Sequence, residues 1–383
     1  MSRSSRLLTW IVLLVLMAAF GVGVNRYLAS GDTTAFAPPT KQPTQTDVKL
    51  SLPGTVYFAD HGGLFGLTGT HIAQLQAEGQ GWTQPVLVPG VGLLAVKVTA
   101  NYYSDLYELD PNGRVVEQLS HDSGKVTATA LGADDWLFYP AVGPGGTLYF
   151  SYDWPKGGLD DPNNPFQVDL SIWETTLGSQ ITWTSVQNSS GITQKSWANY
   201  YTGGNISPVP LDGGGLLYVD YEAATDNTEV STPVPGADPG DEVSQIRMDP
   251  TPSPNGTGHG TPLTQPGDDC AQPTLNPDQT EIAMVCTPVV NGAPSSTESD
   301  LVVASFDAAT GTLGTLDRIV TGTLAASPAW SPDGTDLIYE APEAGDGYFE
   351  LWYVKDAATS RPVQPKQVTT DLDLDGSAAV WAR

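Results

Sequence analysis

Basic residues are scarce in this sequence. It holds 16 lysines and arginines against 43 aspartates and glutamates, which gives a formal net charge of -27. Proteins that bind nucleic acid neutralise its phosphates with basic side chains, so the composition argues against nucleic acid as a partner. The excess of acid either keeps the protein soluble or forms a surface that recruits cations and basic partners.

Histidine and the common nucleophile motifs are also scarce. The chain has four histidines and contains neither Gly-x-Ser-x-Gly nor His-Glu-x-x-His. These motifs build serine hydrolases and zinc peptidases, so nucleophilic catalysis finds little support here. Carboxylate pairs for glycoside hydrolysis stay open, because acids are abundant and the sequence does not reveal which of them pair in space.

Runs that favour helix are few beyond the N-terminal segment. Glycine (41 residues) and proline (31 residues) are frequent instead. This balance is typical of an all-β protein with many turns.

The clearest local signal is one β-hairpin in the stretch 327–341, SPAWSPDGTDLIYEA. A first strand ends at Trp330. Residues Ser331 to Gly334 then form a turn, in which proline fixes φ and glycine accepts a positive φ. Leu337 to Tyr339 supply the apolar run of a second, buried strand. A single hairpin is marginally stable in water, so the sequence should contain copies of it.

Copies of this hairpin recur at intervals of roughly 40 to 60 residues, which is the period of propeller blades. The nearest copy is 272–286, and weaker ones are 143–150, 211–219 and 89–96. A third strand repeats as well, as SDLYELD (104–110), DLSIWET (169–175), SDLVVASFD (299–307) and FELWYVKD (349–356). The repeats predict a β-propeller with four-stranded antiparallel blades.

Counting the repeats predicts six blades. They cover 84–122, 135–187, 198–266, 268–322, 323–370, and 371–383 together with 52–80. The last blade is shared by the two ends of the domain, because the inner strand that 52–80 lacks appears as Ser377 to Trp381. Seven blades, with 122–140 contributing to another, remain an alternative.

These motifs resemble the TolB-like six-bladed β-propeller family and its WD-related repeats over residues 52–383. The match is carried by the Ala329-Trp330 strand end, the Ser-Pro-Asp-Gly turn and the apolar strands that follow it. The resemblance implies an extracytoplasmic scaffold that binds proteins or small ligands. In some members a fused hydrolase supplies catalysis.

The two cysteines are predicted to face each other. Cys270 and Cys286 flank the hairpin turn at equal distances from Asp278. Opposed residues of a hairpin are close enough for a disulfide after local adjustment. An oxidising compartment would therefore give one cross-strand disulfide, and a reducing one would leave two buried thiols.

The N-terminal segment 1–26 is expected to be a transmembrane signal anchor. Arg3 and Arg6 precede an uncharged run from Leu7 to Val24, which is long enough to span a bilayer. The two arginines place the N-terminus in the cytoplasm. Residues 27–51 are rich in proline and threonine and read as a flexible linker. The propeller would then lie outside the cytoplasm, or be secreted if the segment is cleaved.

Three insertions between second and third strands suggest a binding face. They are 154–168, 222–241 and 287–298, and loops of this kind often carry function in repeat folds. The alternative is that they are neutral expansions. Their acids would make the face negative, and the candidates are Asp160, Asp161, Glu222, Asp226 and Asp241.

The stretch Asp371 to Gly376 resembles the opening of a calcium-binding loop. Asp371, Asp373 and Asp375 stand at alternate positions before a glycine, a spacing that can wrap oxygens around one Ca²⁺. The twelfth position holds Ala382 where such loops have a glutamate. The stretch is either half of a calcium site or an acidic turn, and no other cofactor is indicated.

The sequence therefore predicts a non-enzymatic scaffold that binds a protein partner or a small ligand outside the cell membrane. The alternative is a propeller enzyme of the hydrolase or lactonase type, with calcium as its candidate cofactor. Carboxylates that converge at the channel mouth would favour the enzyme. A channel plugged by apolar side chains would favour the scaffold.

Overall fold

The described part of the chain begins at Val48. The computed structural model describes residues 48–88, 90–99, 103–123, 136–152, 170–182, 184–189, 203–223, 242–250, 260–290, 293–343, 347–359 and 364–383. The chain divides into two compact units, Met1–Gln45 and Thr46–Arg383, and all described residues belong to the second. In the ranges given above, no helix is long and apolar enough to cross a membrane. The anchor predicted for 1–26 lies outside them.

The described residues form short antiparallel strands. In chain order the first are β1 (Leu52–Asp60), β2 (Gly63–Gly69), β3 (His71–Gln76), β4 (Trp82–Val88), β5 (Gly92–Val98), β6 (Ser104–Leu109), β7 (Val115–Gln118), β8 (Leu137–Gly143), β9 (Thr147–Tyr152), β10 (Ser171–Thr176), β11 (Gln187–Asn188), β12 (Gly203–Pro210), β13 (Leu216–Ala223), β14 (Glu242–Asp249) and β15 (Thr261–Pro262). They are followed by β16 (Cys270–Leu275), β17 (Glu281–Cys286), β18 (Val289–Val290), β19 (Ala293–Pro294), β20 (Asp300–Asp307), β21 (Thr312–Leu313), β22 (Asp317–Val320), β23 (Ala326–Trp330), β24 (Leu337–Pro342), β25 (Phe349–Val354), β26 (Lys366–Gln367) and β27 (Val380–Ala382). The helices in these ranges are single 3₁₀ turns at Pro144–Gly146, Pro266–Asp268 and Ala357–Thr359.

The described strands other than β18 and β19 assemble into six sheets, which are the blades of a propeller. Blade 1 is β4 to β7, blade 2 is β8 to β11, blade 3 is β12 to β15 and blade 5 is β23 to β26. Blade 4 has the order β16-β17-β20, with β21 and β22 both paired to β20, and blade 6 has the order β27-β1-β2-β3. The six-bladed prediction is confirmed. Strand β8 contains part of the stretch considered for a seventh blade, and it belongs to blade 2.

Blade 6 is closed by the two ends of the domain, as predicted. Its inner strand β27 pairs antiparallel with β1, and Val56 lies opposite Trp381. Trp381 is buried, and its indole Nε1 donates a hydrogen bond to the Pro53 carbonyl at 2.7 Å. This pairing satisfies two strand edges that a curved array would otherwise expose.

The hydrophobic core is divided into clusters between neighbouring blades. One cluster joins Phe58 and Trp381 of blade 6 to Ile338 of blade 5. Another joins Trp330 of blade 5 to Val303 of blade 4. The apolar faces of successive sheets therefore bury each other around the ring.

A repeated polar clamp holds the outer strand of a blade to its third strand. In blade 1 the buried Asp105 carboxylate accepts hydrogen bonds from Ser120 Oγ at 2.9 Å and from the Asp122 N–H at 2.6 Å. In blade 5 the Glu350 carboxylate accepts one from Thr369 Oγ1 at 2.7 Å. Charge-assisted bonds of this kind satisfy a buried acid, so these third-strand acids are structural.

The predicted disulfide is present in blade 4. Cys270 lies directly opposite Cys286 in the pairing of β16 with β17, and the two sulfur atoms are bonded. Both residues are buried in the cluster between blades 3 and 4. The bond therefore links the inner strand of blade 4 to its second strand at the end away from the hairpin turn.

Replacing both Cys270 and Cys286 with alanine is expected to lower the free energy of unfolding. The bond closes a loop with a sequence separation of 16 residues. Losing this constraint on the unfolded chain should cost about 2–3 kcal/mol. The measurement is urea unfolding of both proteins with and without dithiothreitol. The reductant should destabilise the wild type and leave the double variant unchanged, and an unaffected wild type would contradict the prediction.

Candidate functional site

The inner strands of all six blades surround a central cavity of about 500 Å³. Its wall carries a ring of dipeptides that end in proline, here called the proline belt. The belt consists of Gln84–Pro85, Tyr139–Pro140, Ser207–Pro208, Gln272–Pro273 and Ser327–Pro328, one pair from each of blades 1 to 5. The cavity is open. It therefore lacks the plug of apolar side chains that Sequence analysis expects of a scaffold.

Each proline of the belt follows a residue with left-handed backbone. The φ angles of these five residues lie between 50° and 54°: Gln84 50°, Tyr139 53°, Ser207 54°, Gln272 52° and Ser327 51°. In every case the ladder between the inner and second strands shifts register at this point, which is the signature of a β-bulge. Left-handed backbone is unfavourable for residues other than glycine, and such strain persists only where the surrounding structure enforces it. The bulges thus present a rigid wall to the cavity.

Hydrogen bonds between blades hold several of these bulges. The Tyr139 N–H donates to Gln84 Oε1 at 2.6 Å, and the Gln84 N–H donates to Ser377 Oγ at 3.2 Å. Between blades 5 and 4, the Ser327 N–H donates to Gln272 Oε1 at 2.7 Å. In each case a backbone donor at a bulge is satisfied by the side chain of the preceding blade. The cavity wall is therefore hydrogen-bonded between blades 6 and 1, blades 1 and 2, and blades 4 and 5 as well as within each blade.

Blade 6 interrupts the proline belt. Its corresponding pair is Ser377–Ala378, and Ala378 is exposed. The preceding residues Asp375 and Gly376 also line the cavity. Asp375 carries the one charged side chain among the described lining residues, so the negative charge of the wall is concentrated at the gap in the belt.

Glu340 lies behind this gap. It is on β24 of blade 5 and is 1% exposed, and among the described residues the Gly376 N–H is the one donor that acts on its carboxylate, without a close hydrogen bond to either oxygen. Burial raises the pKa of Glu340 well above the usual value, the negative charge of Asp375 raises it further, and the Gly376 N–H opposes the shift only in part. A buried carboxyl group with a raised pKa therefore stands next to an exposed carboxylate.

The repeat does not require an acid at this position. Glu340 pairs with Ala326, the last residue before the bulge of blade 5. In blades 1 to 4 the second-strand residue that pairs with the last inner-strand residue before the bulge is Val96, Ser151, Val219 and Val285, respectively. Those blades fold with an apolar residue or a serine there, so the glutamate has no role that the fold itself requires.

The connection before β27 carries the three aspartates of the predicted calcium loop. Asp371 is exposed with φ at 67°, and Asp375 Oδ1 accepts hydrogen bonds from the Ser377 N–H at 2.9 Å and from Ser377 Oγ at 2.6 Å. Within the ranges that the structure covers, no three acidic, histidine or cysteine side chains are arranged to hold a metal ion. The calcium site stays a prediction.

Asp373 takes part in a different contact at the turn between β1 and β2. Its N–H donates to Asp60 Oδ1 at 2.9 Å, and His61 Nδ1 lies 2.9 Å from the same oxygen. His61 Nε2 is 3.8 Å from Asp373 Oδ2. Burial raises the pKa of Asp60, while the Asp373 N–H and His61 act in the opposite direction. The three side chains tie the closing connection to blade 6.

Blade 3 contains a second buried charged cluster. Arg247 Nε lies 2.6 Å from Asp220 Oδ2, and the two side chains are 9% and 2% exposed. Arg247 Nη1 also donates to the Gly260 carbonyl at 3.0 Å. The Tyr218 hydroxyl accepts a hydrogen bond from the Gly260 N–H at 2.8 Å, and burial is the main cause that raises the Tyr218 pKa to about 12. This network joins the second and third strands of the blade to the segment before β15.

The acids predicted for the loop face are not resolved into a site. Asp160, Asp161, Asp226 and Asp241 lie outside the described residues, and Glu222 is described through its backbone alone, in β13. The insertion 287–298 contains the two-stranded ribbon of β18 and β19. The binding role of this face stays a prediction.

Sequence analysis did not identify the proline belt or Glu340. A signal for the belt was available, because a proline follows glutamine, serine or tyrosine in five successive inner strands. No sequence signal marks Glu340, since one glutamate in an otherwise apolar strand looks like a residue exposed at a strand end. Only the pairing of β24 with its neighbours reveals that it is buried.

No family model matches the sequence, and no curated protein matches it. Several solved structures are similar. The oligogalacturonate lyase from Vibrio parahaemolyticus is 11% identical over 85% of this chain and 82% of its own, with a TM-score of 0.44. A β-propeller domain from Myceliophteria thermophila is 10% identical over 85% of this chain and 89% of its own, with a TM-score of 0.44. A puromycin-hydrolyzing peptidase from Mycobacterium tuberculosis is 13% identical over 85% of this chain and 53% of its own, with a TM-score of 0.41. The propeller assignment rests on the six sheets themselves.

Proposed function

We propose that this protein is a non-enzymatic binding module, of the TolB-like kind, that receives a protein segment or small ligand in its central cavity. The observation that carries the proposal is the open cavity of about 500 Å³, whose wall is held in part by hydrogen bonds between neighbouring blades. Ligand sites in proteins commonly have volumes of 300–1,000 Å³ and mostly apolar walls with a few polar groups.

The composition of the wall suits recognition rather than catalysis. Prolines of the belt supply rigid apolar surface, and bonded bulges lose little conformational entropy when a ligand binds. The polar groups on the wall are few and fixed, with Asp375 at the gap in the belt. A preformed wall of this type supports binding of a matching partner without chemical change.

The proposed location is the outer side of a cell membrane. The apolar run from Leu7 to Val24 after Arg3 and Arg6 would anchor the chain, and residues 27–51 would act as a tether. The disulfide between Cys270 and Cys286 supports an oxidising compartment, because such bonds are rare in the cytosol.

A catalytic alternative draws on one observation, the pair of carboxyl groups at the cavity wall. A carboxyl group with a raised pKa, Glu340, beside a second carboxyl group, Asp375, is the kind of pair that glycosidases use as acid and base. The Glu340 oxygens are screened from the cavity, however, and a general acid must reach the atom to which it gives its proton. Binding is therefore the function that the geometry supports better.

The test places a photoreactive amino acid at Ala378, which is exposed and lines the cavity, in the full chain in its native membrane. A recurring adduct, identified by mass spectrometry, is expected at this position. The matched control is the same group at Val116, which is 55% exposed on the outer strand β7. The proposal is contradicted if the same adducts form at Ala378 and Val116, or if no adduct forms at Ala378.

A further inference from the structure

The wall at blade 6 combines three features that occur together nowhere else on the described part of the cavity wall. The proline belt is interrupted by Ala378, an exposed carboxylate stands there at Asp375, and a buried carboxyl group that interacts electrostatically with Asp375 and with no cation, Glu340, lies behind the wall. A buried acid without a counterion destabilises a protein, so its presence needs a compensating role.

We infer that this wall is a receptor for a single cationic group, a guanidinium or ammonium, carried by the ligand that enters the cavity. This inference rests on the proposed function and specifies the chemistry of its ligand. Asp375 is the direct contact for the cation. Glu340 is the second negative charge of the site, which appears once the cation arrives.

The hydrogen bonds of Asp375 leave it suited to this role. Its Oδ1 atom is used by the Ser377 N–H and hydroxyl, which fix the orientation of the carboxylate. The side chain is exposed to the cavity. A carboxylate held in this way can bind a cation without first losing side-chain freedom.

The environment of Glu340 explains why a cation would be needed to ionise it. Asp375 is the titratable group that acts on it, and its cross-strand neighbours Ala326 and Leu351 carry no charge. A cation at Asp375 cancels the nearby negative charge and attracts the Glu340 carboxylate. The Glu340 O–H bond then breaks and its proton passes to solvent, so that binding of one cation releases up to one proton.

The overall charge supports a cationic ligand. The chain carries a formal net charge of -27, and its field raises the local concentration of cations. The apolar surface of the belt and the edges of Trp330 and Trp381 line the rest of the cavity. The fitting ligand is thus an extended chain with one basic group, either a segment of a basic peptide or a free polyamine.

Isothermal titration of the full chain in detergent tests this inference. The probes are the peptide Pro-Pro-Arg-Pro-Pro, the same peptide with neutral citrulline in place of arginine, and spermidine. At pH 8 the Kd of the arginine peptide should be lower than that of the citrulline peptide by a factor of about ten or more, because the citrulline peptide cannot make the charge-assisted contact. If spermidine binds and the arginine peptide does not, the cationic group belongs to a free polyamine. If the arginine peptide binds, the cationic group belongs to a peptide side chain.

Two variants locate the contact. Asp375→Asn retains an oxygen for Ser377 and so should fold, yet it should bind the two peptides equally. The matched control is Asp371→Asn on the same connection, because Asp371 is exposed and does not line the cavity. This control should retain the full preference for arginine. A preference that survives Asp375→Asn would overturn the inference.

Proton release tests the part played by Glu340. Titration of the wild type in phosphate and in Tris should give different heats, since the two buffers take up the released proton with different enthalpies. Glu340→Gln should give equal heats in both buffers and an affinity that no longer increases with pH. Equal heats for the wild type would remove Glu340 from the site.

Failure of the inference can be distinguished from failure of the proposed function. Ala378→Trp fills the cavity and should abolish all binding there. If both peptides bind equally to the wild type and neither binds to Ala378→Trp, the cavity is a binding site but the cation inference is wrong. If no probe binds and the photoreactive group at Ala378 captures nothing, both fail.

Discussion

Replacing Asp220 with alanine is expected to lower the free energy of unfolding by about 3–5 kcal/mol, because the change leaves Arg247 charged and buried without its counterion. The two side chains are 2% and 9% exposed and lie 2.6 Å apart. A typical domain has only about 5–15 kcal/mol of stability in total. The variant should therefore unfold at a much lower urea concentration than the wild type.

A double variant separates the charge effect from the loss of packing. Asp220→Leu with Arg247→Met removes both charges, and it should be more stable than Asp220→Ala alone. The control is Arg114→Met in the surface pair with Asp110, where Arg114 is 81% exposed and the expected change is below about 1 kcal/mol. A double variant less stable than the single one would refute this account of blade 3.

Replacing Glu340 with valine is expected to stabilise the protein above neutral pH, by about 2–4 kcal/mol, because it removes a buried acid without a counterion. Valine is the residue at the same position in blades 1, 3 and 4, as Val96, Val219 and Val285. The local backbone of the blade therefore accommodates its shape.

The advantage of the valine variant should depend on pH in a defined direction. The folded-state pKa of Glu340 is raised above 4.5, so the native protein retains a proton that the unfolded chain loses. The wild type keeps the full benefit of this proton below pH 4.5 and loses it as pH rises through the folded-state pKa. The stability difference between variant and wild type should thus be smallest below pH 4.5 and grow above it.

Urea unfolding between pH 4 and pH 9 measures this difference. The control is Glu117→Gln, an exposed glutamate on β7, which should change stability by less than about 0.5 kcal/mol at every pH. A difference for Glu340→Val that stays constant with pH would show that the buried carboxyl group does not titrate as described. If the cation receptor is correct, the stabilised variant should also lose the proton release on binding, a trade of function for stability.

Much of the architecture could be predicted from the sequence because it depends on local patterns. The turn from Ser331 to Gly334 and its weaker copies marked the hairpins, and their spacing gave the number of blades. The same alignment predicted that Ser377 to Trp381 would complete the blade begun by β1, and that Cys270 would face Cys286. Each of these predictions needs only strand alternation, turn chemistry and hairpin symmetry.

The site was less accessible to sequence reasoning. A negative binding face was predicted from the acids of 154–168 and 222–241. The first insertion lies wholly outside the described residues, and the second lies mostly outside them. Alternation of Asp371, Asp373 and Asp375 suggested one shared ion, whereas the structure gives Asp373 and Asp375 contacts with different partners. Spacing along a chain does not determine whether side chains converge, because the turns between them decide their directions.

The sequence by itself determined the fold class, the six blades, the closure of the ring and the disulfide, since each follows from interactions between residues near in sequence or related by the repeat. Only the tertiary structure decided what the ring encloses. The open cavity, the proline belt and its gap at Ala378, and the proximity of Glu340 to Asp375 depend on how six blades meet at one axis. These contacts join residues from different blades, and their energies depend on burial and distance, which no local pattern in the sequence encodes.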